Sequence, residues 1–307
     1  MSKVYAVGET VFDIIFKNYQ PQAAKPGGSA FNAIISLGRL GIPSSFISEV
    51  GNDRVGTHIR DFLLENGVDN RYVVQFDDGK SALSLAFLNE RSDAEYDFYK
   101  DYPAQRLNEE FPEFSADDYL LYGSFYGLNP ALRPQMLKLL NGASGAHAMI
   151  YYDPNFRSSH QDDLPALRSI IEENFKLSDL VRASDEDLEN IYGVKNADDA
   201  WTILSRYCDY FIYTANAHGI DLRTPELSLH LEVEAIEPLS TIGAGDTFNA
   251  GVLYGLFTRG IRQTGLAELG EKEWTAILET AAGFSREVCL SLENYISPEY
   301  ARKVSGT

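Results

Sequence analysis

Residues 241–248, of sequence TIGAGDTF, have the features of a backbone site for an anion. Gly243 and Gly245 allow a ligand to approach the main chain closely, and an apolar helix pattern follows them. The amide groups of residues 243–246 are therefore expected to point outward at a helix N-terminus, an arrangement that suits a phosphoryl group. Asp246 is either a helix-capping acid or a general base beside a phosphoryl acceptor. The motif lacks the third glycine of a dinucleotide fingerprint and the chain has no P-loop pattern, which argues against a dinucleotide-dependent oxidoreductase.

Three further segments place polar residues where a ligand could bind. Residues 27–33, of sequence GGSAFNA, pair two glycines with a helix start. This is either a tight turn or a sugar site, in which Gly28 leaves room for a ring and Asn32 offers its amide. Residues 153–157, of sequence DPNFR, follow a strand, at the sheet edge where ligands of open α/β sheets collect. Asp13 lies just after the first strand and by itself has the character of a surface acid.

The elements that must position these residues alternate between strand and helix. Apolar runs at 4–7, 46–50, 119–122, 148–152 and 209–214 alternate with helical patterns that begin at Ser29 or cover 54–66, 132–140, 200–207, 246–256 and 274–288. This alternation predicts a mostly parallel sheet with helices on both faces. Residues 81–88 and 95–100 are β-like and are joined by a polar segment, and residues 11–16 are also extended. We expect one domain over residues 1–307, with a small separate sheet from about 11–25 and 81–102.

Composition narrows the classes of ligand. Acidic residues outnumber basic ones 45 to 26, which gives a net charge of −19. A field of that sign favours solubility and repels nucleic acids and anionic lipid surfaces. The two cysteines, Cys208 and Cys289, form no metal or redox motif, and the chain shows neither a signal-peptide pattern nor an apolar stretch long enough to cross a bilayer. We expect a cytoplasmic protein with small-molecule ligands.

Taken in order along nearly the whole chain, these motifs resemble those of the ribokinase-like (PfkB) carbohydrate kinases. Residues 27–41 and 243–248 are similar to the two family signatures, and residues 8–13 to its opening strand and sugar-binding aspartate. Residues 153–157 resemble the branch that contains fructokinases and 2-keto-3-deoxygluconate kinases. The resemblance implies a three-layer α/β/α Rossmann-like domain with a small β-sheet lid. The open edge of such a lid would allow two copies to pair, so a homodimer through the lid is also expected as an option.

The resemblance also implies roles for individual residues. Asp246 is expected to take the proton from the sugar hydroxyl, while the amides of Ile242, Gly243, Ala244 and Gly245 hold the transferring charge. The residues expected to bind sugar hydroxyls are Asp13, Gly28 and Asn32. Arg157 is expected to bind substrate or a phosphate, and the lid to contribute Phe87, Phe98, Tyr99 or Lys100. ATP is the implied phosphoryl donor, with Mg²⁺ carried on its phosphates mostly through water.

Four departures from the family pattern lie on the nucleotide side. Ser240 replaces an aspartate that commonly helps to bind a monovalent cation near Ile242, so the sequence leaves potassium activation open. The residues expected around the nucleotide are Ser184, Asp187, Thr214, Gly219 and Asn294. Asp187 stands where the family has glutamate, Asn216 follows Thr214 where a glycine is usual, and residues 293–294 replace a Gly-Ala pair.

The leading hypothesis is an ATP-dependent sugar kinase with fructose as the first substrate. A 2-keto-3-deoxygluconate kinase would need a cation for the substrate carboxylate, for which Lys100 and Arg157 are available. A nucleoside or ribose kinase would need an apolar slot. The departures on the nucleotide side also keep open a catalytically weakened sugar sensor of the same fold.

Overall fold

The computed structural model describes residues 2–88, 94–107 and 110–306. The strands are β1 (Val4–Val7), β2 (Val11–Lys17), β3 (Gln20–Gly27), β4 (Ser44–Gly51), β5 (Val68–Phe76), β6 (Lys80–Leu88), β7 (Ala94–Asp101), β8 (Tyr119–Gly123), β9 (Met149–Asp153), β10 (Leu180–Ser184), β11 (Phe211–Thr214), β12 (Ile220–Arg223) and β13 (Ser228–Leu231). The α-helices are α1 (Ser29–Arg39), α2 (Arg54–Glu65), α3 (Arg133–Gly145), α4 (Leu164–Lys176), α5 (Asp185–Tyr192), α6 (Ala197–Leu204), α7 (Ala244–Thr258), α8 (Glu271–Cys289) and α9 (Pro298–Ser305). Among these helices none is both long and apolar enough to span a bilayer.

The main sheet has nine strands in the order β13-β12-β11-β10-β9-β8-β1-β4-β5. The seven strands from β11 to β5 are parallel to their neighbours, whereas β12 and β13 form an antiparallel extension. The prediction of a mostly parallel sheet is therefore confirmed. Because parallel strands end at the same edge, the segments that follow β1, β9, β10 and β11 come together there.

Helices cover both faces of the main sheet, as the alternation predicted. In β1 the side chains of Val4 and Ala6 join the core formed with α1, α7 and α8, while Tyr5 and Val7 join the core formed with α3, α4 and α5. Successive side chains along the strand thus point alternately into two apolar layers. All four residues of β1 are buried, which explains why the strand is an uninterrupted apolar run in the sequence.

A second sheet has four strands in the order β3-β2-β6-β7. The register of β2 places Asp13 opposite Lys25 of β3 and Ser84 of β6, and Ser84 lies opposite Phe98 of β7. The two extended segments that the sequence suggested as one small sheet do pair, and they do so in parallel. Strand β3 lies largely within the expected sheet segment 11–25 but was not predicted as a separate strand, because its sequence QPQAAKPG has no apolar run. Residues 89–93 of the predicted polar connection lie outside the described residues.

Candidate active site

The two glycine motifs meet through a hydrogen bond between the starts of α1 and α7. The amide nitrogen Nδ2 of Asn32 donates to Oδ2 of Asp246 over 2.8 Å, across 214 residues of sequence. Asn32 is 4% exposed, and its Oδ1 has no hydrogen-bond partner among the described residues. The Asp246 carboxylate, in the first turn of α7, thus contacts α1. The geometry offers a basic oxygen and a free acceptor side by side.

The environment of Asp246 makes it a stronger base than an ordinary aspartate. Burial raises the pKa of its carboxyl, and this effect outweighs the opposing hydrogen bonds from Asn32 and Ser29 and the charge of Arg157. Asp153 adds a further raising effect on the same pKa. A carboxylate with a raised pKa is better matched to accept a proton near neutral pH.

The turn before α7 supplies amide donors next to the Asp246 carboxylate. Gly243 has φ 80°, and a Cβ atom there would lie 2.3 Å from the backbone oxygen of Asn294, so only glycine suits the position. Among the described residues, the amides of Gly243, Gly245 and Asp246 donate to no protein acceptor. The amides of Ile242 and Ala244, which were also expected to face the anion, instead donate to Ser240 Oγ and Thr241 O, both over 3.2 Å. The anion site therefore has three available amides at a helix N-terminus.

Asp13 extends from the second sheet towards the start of α1. A Cβ atom on Gly27 would lie 2.3 Å from Asp13 Oδ2, so this glycine makes room for the carboxylate. Burial raises the pKa of Asp13 to about 6, against the opposing effects of the Ser84 hydroxyl and the Lys25 charge. Gly28, with φ 127°, follows directly and begins α1. Asp13, Gly28 and Asn32, the three residues expected to bind sugar, thus lie along one path from β2 to α1.

Of the four residues expected from the small sheet, two share the face of Asp13. Phe98 lies in the same row as Asp13 and Ser84, and Lys100 is two residues further along β7. Phe98 is 55% exposed, and the Lys100 ammonium lies 5.0 Å from the centre of its ring. By the same alternation Phe87 and Tyr99 project from the opposite face, where Phe87 stacks on Phe16. The suggestion that Phe87 or Tyr99 reaches the sugar from this sheet is therefore not supported by the register.

Arg182 is a residue of this region that the sequence analysis missed. It is 8% exposed on β10, and it donates to Asp153 Oδ2 over 3.0 Å and to Thr214 Oγ1 over 2.5 Å. A Cβ atom on Gly245 would lie 3.0 Å from Nη1 of Arg182. The guanidinium therefore packs directly against the turn of residues 243–246, the anion turn. The sequence could have suggested a buried functional residue here, because Arg182 is a charged residue inside the short apolar run of β10. Its hydrogen-bond partners could not be predicted from the sequence.

Two of the residues expected around the nucleotide, Asp187 and Asn294, make contacts that hold the fold together. Asp187 is 4% exposed and accepts from the amide of Phe156 and from both the amide and the hydroxyl of Ser184, which makes it part of the capping box of α5. Burial and the neighbouring Asp153 raise the pKa of Asp187 to about 6. Asn294 lies between the two glycine turns, since its Nδ2 is 3.6 Å from a Cβ position on Gly27 and its backbone oxygen contacts Gly243.

Of the remaining residues, Thr214 and Gly219 were expected near the nucleotide and Arg157 near the substrate or a phosphate. Thr214 ends β11, where its hydroxyl accepts from Arg182. Gly219 has φ 96° in the turn to β12. Arg157 is exposed and lies 3.9 Å from Glu186. Within the described residues, no group of three or more His, Cys, Asp or Glu side chains is arranged to hold a metal ion.

Comparison with known proteins identifies the class to which this site belongs. The model of the pfkB family carbohydrate kinases matches residues 1–295. The fructokinase of Rhizobium leguminosarum bv. trifolii is 28% identical over 264 residues, which cover 82% of this chain and 79% of that protein. The chain therefore belongs to the pfkB family, and it is a carbohydrate kinase, a phosphotransferase that acts on a sugar hydroxyl.

Solved structures show the same fold. A fructokinase double mutant from Vibrio cholerae O395, in its fructose-, ADP- and potassium-bound form, has a TM-score of 0.82 and 22% identity and covers 97% of this chain and 95% of its own. The aminoimidazole riboside kinase from Salmonella enterica, complexed with aminoimidazole riboside and an ATP analogue, also has a TM-score of 0.82 at 22% identity, with 99% of both chains covered. The expected ribokinase-like fold is confirmed.

Replacement of Asp246 by asparagine should separate binding from chemistry. The amide oxygen can still accept from Asn32, so sugar affinity should stay close to that of the unmodified protein. Loss of the base should lower kcat by about 10²–10⁴, the usual contribution of a positioned base. Single-turnover rates and calorimetric sugar binding would be measured on both proteins, and turnover near the original rate would show that Asp246 is not the base.

Replacement of Asn32 by alanine should affect kcat as well as KM. Its Nδ2 donates to Asp246, and this bond lowers the pKa of the base. Without it we expect kcat to fall about 10- to 100-fold, the worth of a hydrogen bond to a charged group, and the acidic limb of the kcat–pH profile to move to higher pH. Ser36→Ala is the control, since Ser36 bonds the backbone oxygen of Asn32 one turn away. A change in KM alone would mean that Asn32 only holds the sugar.

Sugar affinity should depend on the ionisation of Asp13. Its pKa is raised to about 6, so the carboxylate becomes protonated as the pH falls through that value and loses acceptor strength for a sugar hydroxyl. We expect the dissociation constant for sugar to rise about tenfold per pH unit well below the pKa. Calorimetry on the Asp246→Asn protein isolates this titration from that of the base, and a constant affinity between about pH 5 and about pH 8 would exclude Asp13 as a sugar ligand.

Proposed function

We propose that the protein is an ATP-dependent kinase of fructose or a closely related neutral ketose. The observation that carries the proposal is the Asn32–Asp246 pair next to three available amides. It combines a base, an acceptor for a sugar hydroxyl and an anion site within one turn of two helices. The similarity of the chain to the fructokinase of Rhizobium leguminosarum bv. trifolii supports the same choice of substrate.

In the proposed reaction the sugar lies between the second sheet and the start of α1. Asp13 accepts one sugar hydroxyl, and the unpartnered Oδ1 of Asn32 accepts another. A buried acceptor without a partner costs about 1–3 kcal/mol, so a hydroxyl that satisfies it gains that much on binding. The reactive hydroxyl then lies against Asp246, which Asn32 holds in place.

Transfer requires one bond to form and one to break at phosphorus. The sugar oxygen bonds to the terminal phosphorus of ATP while its proton passes to Asp246, and the bond from that phosphorus to the bridging oxygen of ADP breaks. The amides of Gly243, Gly245 and Asp246 stabilise the charge on the transferring group. Mg²⁺ supplies charge neutralisation on the ATP phosphates. The nearby carboxylates of Asp153 and Asp187 already accept protein hydrogen bonds, which agrees with a metal held mainly by phosphate and water.

A riboside kinase is the second candidate. The exposed ring of Phe98 lies on the face of Asp13, where it can stack on a flat base. The aminoimidazole riboside kinase of Salmonella typhimurium is 27% identical over 264 residues, with 83% of this chain covered.

The test is ADP release by the purified protein with ATP and Mg²⁺ over a panel of sugars, with and without potassium. Fructose, ribose, a riboside and 2-keto-3-deoxygluconate would be compared by kcat/KM, and the product identified by mass. We expect the highest value with fructose. Higher turnover of the riboside would favour the second candidate. If the protein binds sugar but phosphorylates none with any nucleoside triphosphate as donor, it is a sugar sensor instead.

A further inference from the structure

Glu9 forms a compact polar cluster with Lys100 of β7 and with Tyr102, which follows that strand. It follows β1 of the main sheet, and its Oε2 accepts from the Lys100 ammonium over 2.7 Å. Its Oε1 accepts from the Tyr102 hydroxyl, also over 2.7 Å. Both carboxylate oxygens are therefore used, and the positive charge of Lys100 is neutralised by a residue in the connection between β1 and β2.

This cluster borders the proposed sugar site. A Cβ atom on Gly28 would lie 2.3 Å from the backbone oxygen of Glu9, so Glu9 packs against the turn that begins α1. Lys100 lies on the face of β7 that carries Phe98, two residues beyond the row formed by Phe98, Ser84 and Asp13. Glu9 thus contacts the start of α1, which holds Asn32, while Lys100 lies on the face of the second sheet that carries Asp13.

The other cations near the site also have acidic partners. The Lys25 ammonium donates to the backbone oxygen of Leu292 over 2.6 Å and lies 3.7 Å from Glu293. Arg157 lies 3.9 Å from Glu186. In contrast, Asp13 and Asp246 form no ion pair within the described part of the chain. The charge that remains uncompensated at the site is therefore negative.

We propose that Glu9 is a specificity-determining residue, which holds Lys100 so that the site accepts uncharged sugars and rejects sugars that carry a carboxylate or a phosphate. This inference rests on the proposed function. An anionic sugar would have to displace Glu9 from Lys100 and leave a carboxylate without its cation, or else lie beside Asp13. Such like-charge contacts are a general means of rejecting a wrong partner.

The test compares binding of fructose and of 2-keto-3-deoxygluconate, two sugars of similar size of which only the second is an anion. Affinities would be measured by calorimetry without ATP, for the unmodified protein and for Glu9→Gln. The unmodified protein should prefer fructose by at least about tenfold, and Glu9→Gln should reduce this preference by about tenfold, because it frees the Lys100 charge. The reduction should appear mainly as tighter binding of the acid.

Two further variants make the result specific. The double variant Glu9→Gln with Lys100→Met should lose the gain for the acid, because the freed cation is gone. Glu189→Gln removes the same charge from a surface pair with Lys195 and should leave the preference as it was, which controls for the net charge of the protein. An unchanged preference in Glu9→Gln, or a gain that persists without Lys100, would overturn the role of Glu9.

The binding measurement also distinguishes this inference from the proposed function. A protein that binds fructose selectively but releases no ADP would lose the proposed kinase activity on fructose, while Glu9 would keep its role. A protein that phosphorylates 2-keto-3-deoxygluconate in preference to fructose would remain a sugar kinase, while the role of Glu9 would be overturned.

Discussion

The hydrogen bond between Asn32 and Asp246 is the contact on which the rest of the site depends. It joins the first turns of α1 and α7, and both helices begin at glycines with positive φ, Gly28 and Gly243. Those glycines let neighbouring backbone come within a distance that a side chain would block. As a result the Asp246 carboxylate, the Asn32 side chain and the free amides lie close together at the starts of the two helices. The orientation of Asp246 is held by protein and does not depend on the substrate.

Beneath this contact lies a network of buried charges that stiffens the edge of the main sheet. Asp153 accepts from Arg182 over 3.0 Å and from the Asn249 side chain over 2.6 Å, and Arg182 packs behind Gly245. Buried charges are costly to desolvate, so they persist where partners satisfy them. Here the partners come from β9, β10 and α7. The network therefore sets the position of the anion turn relative to the sheet, and Asp153 also helps to raise the pKa of Asp246.

The main fold and the motif residues could be predicted from the sequence because they leave local signals. Apolar runs gave β1, β4, β8 and β9, and helical periodicity gave α1, α2, α7 and α8, with boundaries within a few residues. Strand β3 was not predicted as a separate strand because it has no apolar run, and β12 and β13 were missed because polar residues interrupt their short sequences, IDLR and SLHL. The sequence also could not predict that Phe98 and Phe87 lie on opposite faces of the second sheet. The face of each side chain follows from the register of neighbouring strands, which the structure supplies.

The sequence by itself determined the class of chemistry, because glycine turns, a single aspartate and a strand-helix alternation are local properties. Only the tertiary structure decided which side chains are free to act. In the folded protein Asp187 caps a helix, Arg182 packs against Gly245, and Lys100 forms an ion pair with Glu9. Lys100 and Glu9 are 91 residues apart in the chain, Lys100 on β7 and Glu9 in the connection between β1 and β2. Whether a charge is available or neutralised is set by distances of a few ångströms between such segments, and spacing along the sequence does not contain those distances.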